Sequence, residues 1–142
     1  MVPRFSKGSR SCGVSDYRKL RVYRKAHRLA VAAQKAANKM SGAGSARLQD
    51  QIVGSAVSIP SNIMEGCDHT SAAEFLRFLI YSRASASELQ GQVKLGKDMG
   101  MISENEARML VKRTKTVRKM LSGLIKKVRL RIPPGKRKRR DN

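Results

Sequence analysis

The positive charge of this chain is gathered at its two ends, and that segregation limits what it can fold into and what it can meet. Residues 1–40 hold eleven Lys/Arg and one acid, Asp16, for a net of +10. Residues 41–107 hold five basic and eight acidic residues, a net of −3. Residues 108–142 hold fifteen basic residues against one acid, a net of +14. Self-repulsion at +21 opposes compaction and is tolerated when the partner is a polyanion or an anionic surface. An ordinary middle between two cationic ends points to a dedicated binding surface rather than to generic solubility.

The 142 residues suit one domain with one core, and 40% hydrophobic residues suffice to build it. Aromatics are only 4% and Trp is absent, so the core must come from Leu, Ile, Val, Met and Ala. Those residues suit close-packed helices better than a sheet sandwich. Cys12 and Cys67 have neither a metal-ligand spacing nor a C-x-x-C pattern. Free thiols in a reducing cytoplasm are the plainer reading, with a disulfide between them the alternative. No apolar run approaches the ~20 residues needed to cross a bilayer, and the N-terminus lacks the apolar middle of a secretory signal. Residues 1–15, basic and without acids, faintly resemble an organelle transit peptide.

Four helical segments follow the basic, Gly/Ser-rich lead of residues 1–15. Asp16 can cap the first, about 17–40. There Val22, Ala26, Leu29, Ala33, Ala37 and Met40 form an apolar stripe of roughly 100°. Arg21, Arg24, Lys25, Arg28, Lys35 and Lys39 lie on the opposite arc. Ser41–Ser45 is a breaker cluster. The second helix runs from about 46 to 65, with Gly66 as C-cap. Pro60 stands inside it, removes one backbone donor and crowds the carbonyl of Ala56, at ~3 kcal/mol in a helix interior. The segment must therefore kink, or two shorter helices must meet at Ser58–Pro60.

Thr70 or Ser71 caps the third helix, about 72–99. It opens with Phe75, Leu76, Phe78, Leu79 and Ile80, then turns small with Ser82, Ala84, Ser85, Ala86 and Ser87, which lets a neighbour approach closely. Gly100 ends it. Ser103 with Glu106 forms a capping box for a fourth helix that continues to about 130, where Pro133–Pro134 stop it. On that helix Leu110, Val117, Leu121, Leu124 and Val128 share one side. Arg108, Lys112, Lys115, Lys119 and Lys126, at spacings of 4, 3, 4 and 7, share another. The expectation is an all-α, up-down-up-down antiparallel four-helix bundle over residues 16–131. Residues 132–142 form a disordered basic tail containing Lys136, Arg137, Lys138, Arg139 and Arg140.

Catalytic equipment is missing from the sequence. His27 and His69 have no ligand partner at metal spacing. Glu104 and Glu106 suit a helix N-terminus. No G-x-S-x-G elbow, P-loop or dinucleotide fingerprint occurs. The reading is a non-enzyme with no cofactor and no metal. A Lys/Arg stripe is ordinarily a solvated face laced with acids at i,i+4. Here the acids are almost absent, which favours polyanion binding with a steep salt dependence. Tyr17, Tyr23 and Tyr81 could stack on bases, although packing is their commoner role.

The run Ala56-Val57-Ser58-Ile59-Pro60-Ser61-Asn62-Ile63-Met64-Glu65-Gly66 resembles the signature of a bacterial four-helix bundle family, the 23S rRNA intervening-sequence proteins. Asp16 through His27, Ser87-Glu88-Leu89 and Gly96-Lys97-Asp98-Met99-Gly100 agree with it, and the likeness spans about residues 16–128. The resemblance implies a homopentameric barrel of four-helix bundles in a bacterial cytoplasm. The family is similar in fold to the accessory variability proteins of diversity-generating retroelements, which are basic, bind nucleic acid and associate with a reverse transcriptase. The charge, lead and tail of this chain bring it closer in character to those accessory proteins.

Within the signature, Pro60 is expected to set the bend of the second helix, with Ser61 and Asn62 bonding backbone groups that it frees. Glu65 and Arg83 are expected either to form a buried pair between the second and third helices or to stand exposed. The functional expectation is a scaffold that binds structured RNA or RNA–DNA hybrids. Phosphates would meet Arg21, Arg24, Lys25 and Arg28 with Lys112, Lys115, Lys119 and the tail; Lys35, Arg108 and Lys126 complete the candidate surface. The alternative is an accessory subunit that docks on a reverse transcriptase. Membrane association ranks last, for want of an amphipathic face with bulky exposed apolar residues.

Overall fold

The computed structural model describes residues 16–69 and 71–137, and all regular structure among them is helical. Asp16 begins it. Its carboxylate accepts from the Arg18 backbone N–H at 3.0 Å and pairs with the Arg18 guanidinium at 2.9 Å. That hydrogen bond to Arg18 holds the Asp16 carboxyl below its usual range. The cap is therefore intact at neutral pH and is lost only as pH falls through that lowered value. It closes a single 3-10 turn, Tyr17–Lys19, after which extended Leu20 opens α1, Arg21–Asn38. The first segment is thus a turn and a helix joined at buried Leu20, not one helix from 17.

All six residues of the expected α1 stripe are buried. Gly42 and Gly44 take positive φ in the loop that follows. Helix α2, Ser45–Asp68, then runs without a break through Pro60, so two shorter helices do not form. Donors converge on the carbonyls just before the proline. Asn62 Nδ2 donates to the Ser58 carbonyl at 2.8 Å, and Ser82 Oγ, from the next helix, donates to that of Ile59 at 2.8 Å. Neither is the Ala56 carbonyl that Pro60 deprives of its donor, so the expected role of Ser61 and Asn62 at a freed group is replaced by bonds from Asn62 and Ser82 to the neighbouring turn. The small residues of the third segment have the anticipated effect: Ser82 and Ala86 are wholly buried. Replacing Ser82 by alanine removes a buried hydrogen bond and is expected to cost about 1 kcal/mol in denaturant unfolding. Ser87→Ala, at an exposed position, should stay within about 0.5 kcal/mol of the parent.

Gly66 does not cap α2. It lies inside the helix, buried, where a Cβ would stand 2.9 Å from Phe78 Cβ and 3.0 Å from Phe75 Cδ2. The glycine is there because α3 passes too close for a side chain. Ser71 caps α3, Ala72–Asp98, by accepting from the Glu74 N–H at 3.1 Å. Gly100, with φ of 74°, ends it. Ser103 accepts from the Glu106 N–H at 3.2 Å and opens α4, Glu104–Arg129. The Glu106 carboxylate reaches Lys39 Nζ at 2.9 Å and ties the end of α1 to the start of α4.

Past α4, Ile132 is buried and Pro134–Arg137 form a one-turn helix, α5, so ordered structure extends beyond the expected boundary at 131. The lead 1–15 with Cys12, and Lys138, Arg139 and Arg140, lie outside the described residues. The four long helices surround one core, each packed on its neighbours in sequence and α1 on α4. Phe75, Leu29, Ile52, Ile59, Leu79 and Leu121 are among its fully buried members.

Candidate nucleic-acid interface

Helix α4 presents its apolar side, Leu110, Thr114, Val117, Leu121, Leu124 and Val128, to the core. Its cations are thereby forced outward, and two grooves of similar size flank them. One, of about 600 Å³ between α1 and α4, is lined by Lys25, Arg28, Arg108, Lys112 and Arg113, with Met109 and Val117 among its other lining residues. No carboxylate lines it. The other, of about 540 Å³ between α3 and α4, is lined by Lys94, Lys97, Arg108, Lys112, Lys115 and Lys119, beside Ala107 and Val111. Glu104 is its one acid and sits 3.9 Å from Arg108. Arg108, Lys112 and Thr116 border both grooves, so α4 forms a cationic ridge with a trough on each side.

Of the expected residues, the structure thus gathers Lys25, Arg28, Arg108, Lys112, Lys115 and Lys119. Arg21, Arg24, Lys35 and Lys126 are exposed on α1 and α4 but line neither groove. Lys136 and Arg137 lie in α5. Sequence reasoning missed Arg113, Lys94 and Lys97. Arg113 falls off the main stripe toward α1, and a helical wheel of α4 drawn with its neighbours would have shown it. Lys94 and Lys97 were hidden because they belong to the acidic middle of the chain.

The expected Glu65–Arg83 buried pair does not form. The Glu65 side chain is 63% exposed and nears only His69, at 4.0 Å. Arg83 points to α4, donating to Ser122 Oγ at 3.3 Å. Glu65 in the last turn of α2 and His69 at its C-cap are four residues apart and so neighbours, whereas Arg83 lies on the side of α3 that meets α4. Arg118 on α4 returns the contact, donating to Gln90 Oε1 at 2.9 Å.

The aromatic rings are elsewhere. Tyr17 and Tyr23 meet edge to face at 4.7 Å, and Tyr81 meets Phe78 likewise at 6.0 Å. Burial raises the Tyr23 hydroxyl above its ordinary pKa. His69 stacks on Phe78 at 4.9 Å, and His27 lies beside Tyr23. Among the described residues, no three of His, Cys, Asp and Glu gather as a metal site would need, and no helix is long and apolar enough to cross a membrane. Cys67 is half-buried in α2.

Comparison with known proteins places this arrangement. A solved structure from Bacteroides thetaiotaomicron, described as a protein of unknown function from the S23 ribosomal protein family, superposes with a TM-score of 0.68 at 22% identity. The match covers 74% of this chain and 98% of that one, and it shows a shared fold. No curated protein matches the chain. Residues 18–123, from the Asp16-capped turn nearly to the end of α4, match the family described as 23S rRNA-intervening sequence protein. The helical body, including the Pro60 signature and most of the cationic ridge, lies within that match, and the chain belongs to the 23S rRNA-intervening sequence protein family.

Proposed function

We propose that this protein is a non-catalytic scaffold that binds RNA, or an RNA–DNA hybrid, through the surface centred on α4. The observation that carries the reading is the convergence of nine cations from three helices on two grooves bordered by one carboxylate. An ordinary solvated face would alternate its charges. The family's description, which refers to an intervening sequence of 23S rRNA, favours RNA as the polyanion.

The bundle is an antiparallel one in this reading. Ser55 bonds Gln92, Ser58 bonds Ser85 and Ser82 bonds Ile59, so numbers rise along α2 as they fall along α3. It works in a bacterial cytoplasm as a homopentamer. Val57, Tyr81 and Leu95, large apolar side chains exposed on α2 and α3 outside both grooves, suit a contact between copies. The same residues favour a second reading, docking on a reverse transcriptase, which co-purification of the two proteins would test.

The first experiment is a salt titration of nuclease-treated protein against structured RNA, duplex DNA and single strands, with and without residues 133–142. Affinity for RNA should fall steeply with salt and survive truncation, with a shallower slope because five cations are gone. Weak binding at physiological salt, or binding lost with the tail, would turn the bundle into a protein-docking scaffold.

A further inference from the structure

The ridge-and-trough shape of α4 carries more than its charge. We infer that the ligand is an A-form duplex whose two strands straddle α4, one sugar-phosphate backbone in each groove. The inference rests on the reading of this surface as a nucleic-acid site. An α-helix with its side chains is about 10–12 Å across, so the two troughs are parallel tracks separated by one helix width. A single strand would follow one track and leave the cations of the other uncompensated. Lys25 and Arg28 serve only the α1 side, and Lys94 and Lys97 only the α3 side, while Arg108 and Lys112 stand between them.

Two further observations select the form of the duplex. Helix α4 is not free-standing, because α1 and α3 pack against it. A B-form major groove is about 8.5 Å deep and admits a free-standing helix; here the flanking helices would strike its backbones before α4 reached the floor. The minor groove of an A-form helix is wide and shallow, displaying 2′-hydroxyls and both backbones to a low ridge. No aromatic side chain lines either trough, so unpaired bases have no stacking platform. Backbone and shape are all this surface can read.

The test compares a short RNA duplex, the DNA duplex of the same sequence and each RNA strand alone by fluorescence anisotropy. It uses the full chain and two variants, Lys25→Gln/Arg28→Gln and Lys94→Gln/Lys97→Gln, with thermal melts to verify folding. The RNA duplex should bind the parent at least about tenfold more tightly than the other forms, as shape-based readout of A-form geometry requires. Each variant should weaken that binding about thirtyfold at about 0.15 M salt and lower the salt slope by about two, as expected for two lost phosphate contacts. Equal affinity for all forms, or a loss confined to one variant, would overturn the straddling geometry and leave the nucleic-acid reading standing. Failure of every form to bind would overturn both.

Discussion

Replacing Arg108 and Lys112 together by glutamate is expected to weaken RNA binding about a thousandfold at about 0.15 M salt, treating four units of charge change as four phosphate contacts. These two residues are the cations that border both grooves, so no other pair of charges on α4 touches as much of the surface. Both are exposed, and the Arg108 partner, Glu104, is a loose contact at 3.9 Å between exposed side chains. Stability should therefore stay within about 0.5 kcal/mol of the parent. The measurement is a pair of salt titrations with a thermal melt of each protein. Undiminished binding by a folded double variant would remove α4 from the interface and send the search to the tail.

The second large effect concerns stability and runs against the usual sign. Alanine in place of a helical glycine ordinarily stabilises by up to about 1 kcal/mol. At Gly54, exposed on α2 with open space around it, that gain is expected. At Gly66, twelve residues along the same helix, the added methyl meets Phe78 Cβ and the Phe75 ring. A Cβ is fixed to the backbone and Phe75 is wholly buried, so neither can step aside without moving α3 from α2. Gly66→Ala should cost roughly 1–3 kcal/mol, the range for overpacking a filled core. Denaturant unfolding of the two variants side by side checks the contrast, and stabilisation by both would show that α3 can retreat freely.

That glycine also marks where sequence reasoning stopped. The four helices were legible because each signal was local: the α1 stripe, the SGAGS breaker, the serine caps at 71 and 103, and Gly100. A glycine after a helical run reads locally as a C-cap. Only the approach of Phe75 and Phe78, nine and twelve residues on, shows that it is a packing position. The interface failed in the same way. Its α4 half was readable from spacing, but Lys94 and Lys97 contribute only because α3 lies beside α4, and Arg83 turned to Ser122 rather than Glu65 for that reason. Charge windows follow the chain, whereas a groove joins residues that the chain holds apart.

The alanines of α1 have a consequence for motion. Ala26, Ala33, Ala36 and Ala37 make up most of what that helix buries; Val22 and Leu29 are its only larger buried side chains. Each alanine removes little apolar surface from water, so α1 has less to lose on swinging away than α3, which buries Phe75, Leu79, Leu89 and Val93. The lightly moored helix is also the one that supplies Lys25 and Arg28. A polyanion lying across α1 and α4 would act as a strap, holding by charge a wall that its own apolar contacts hold only lightly, and local order in α1 would rise and fall with occupancy.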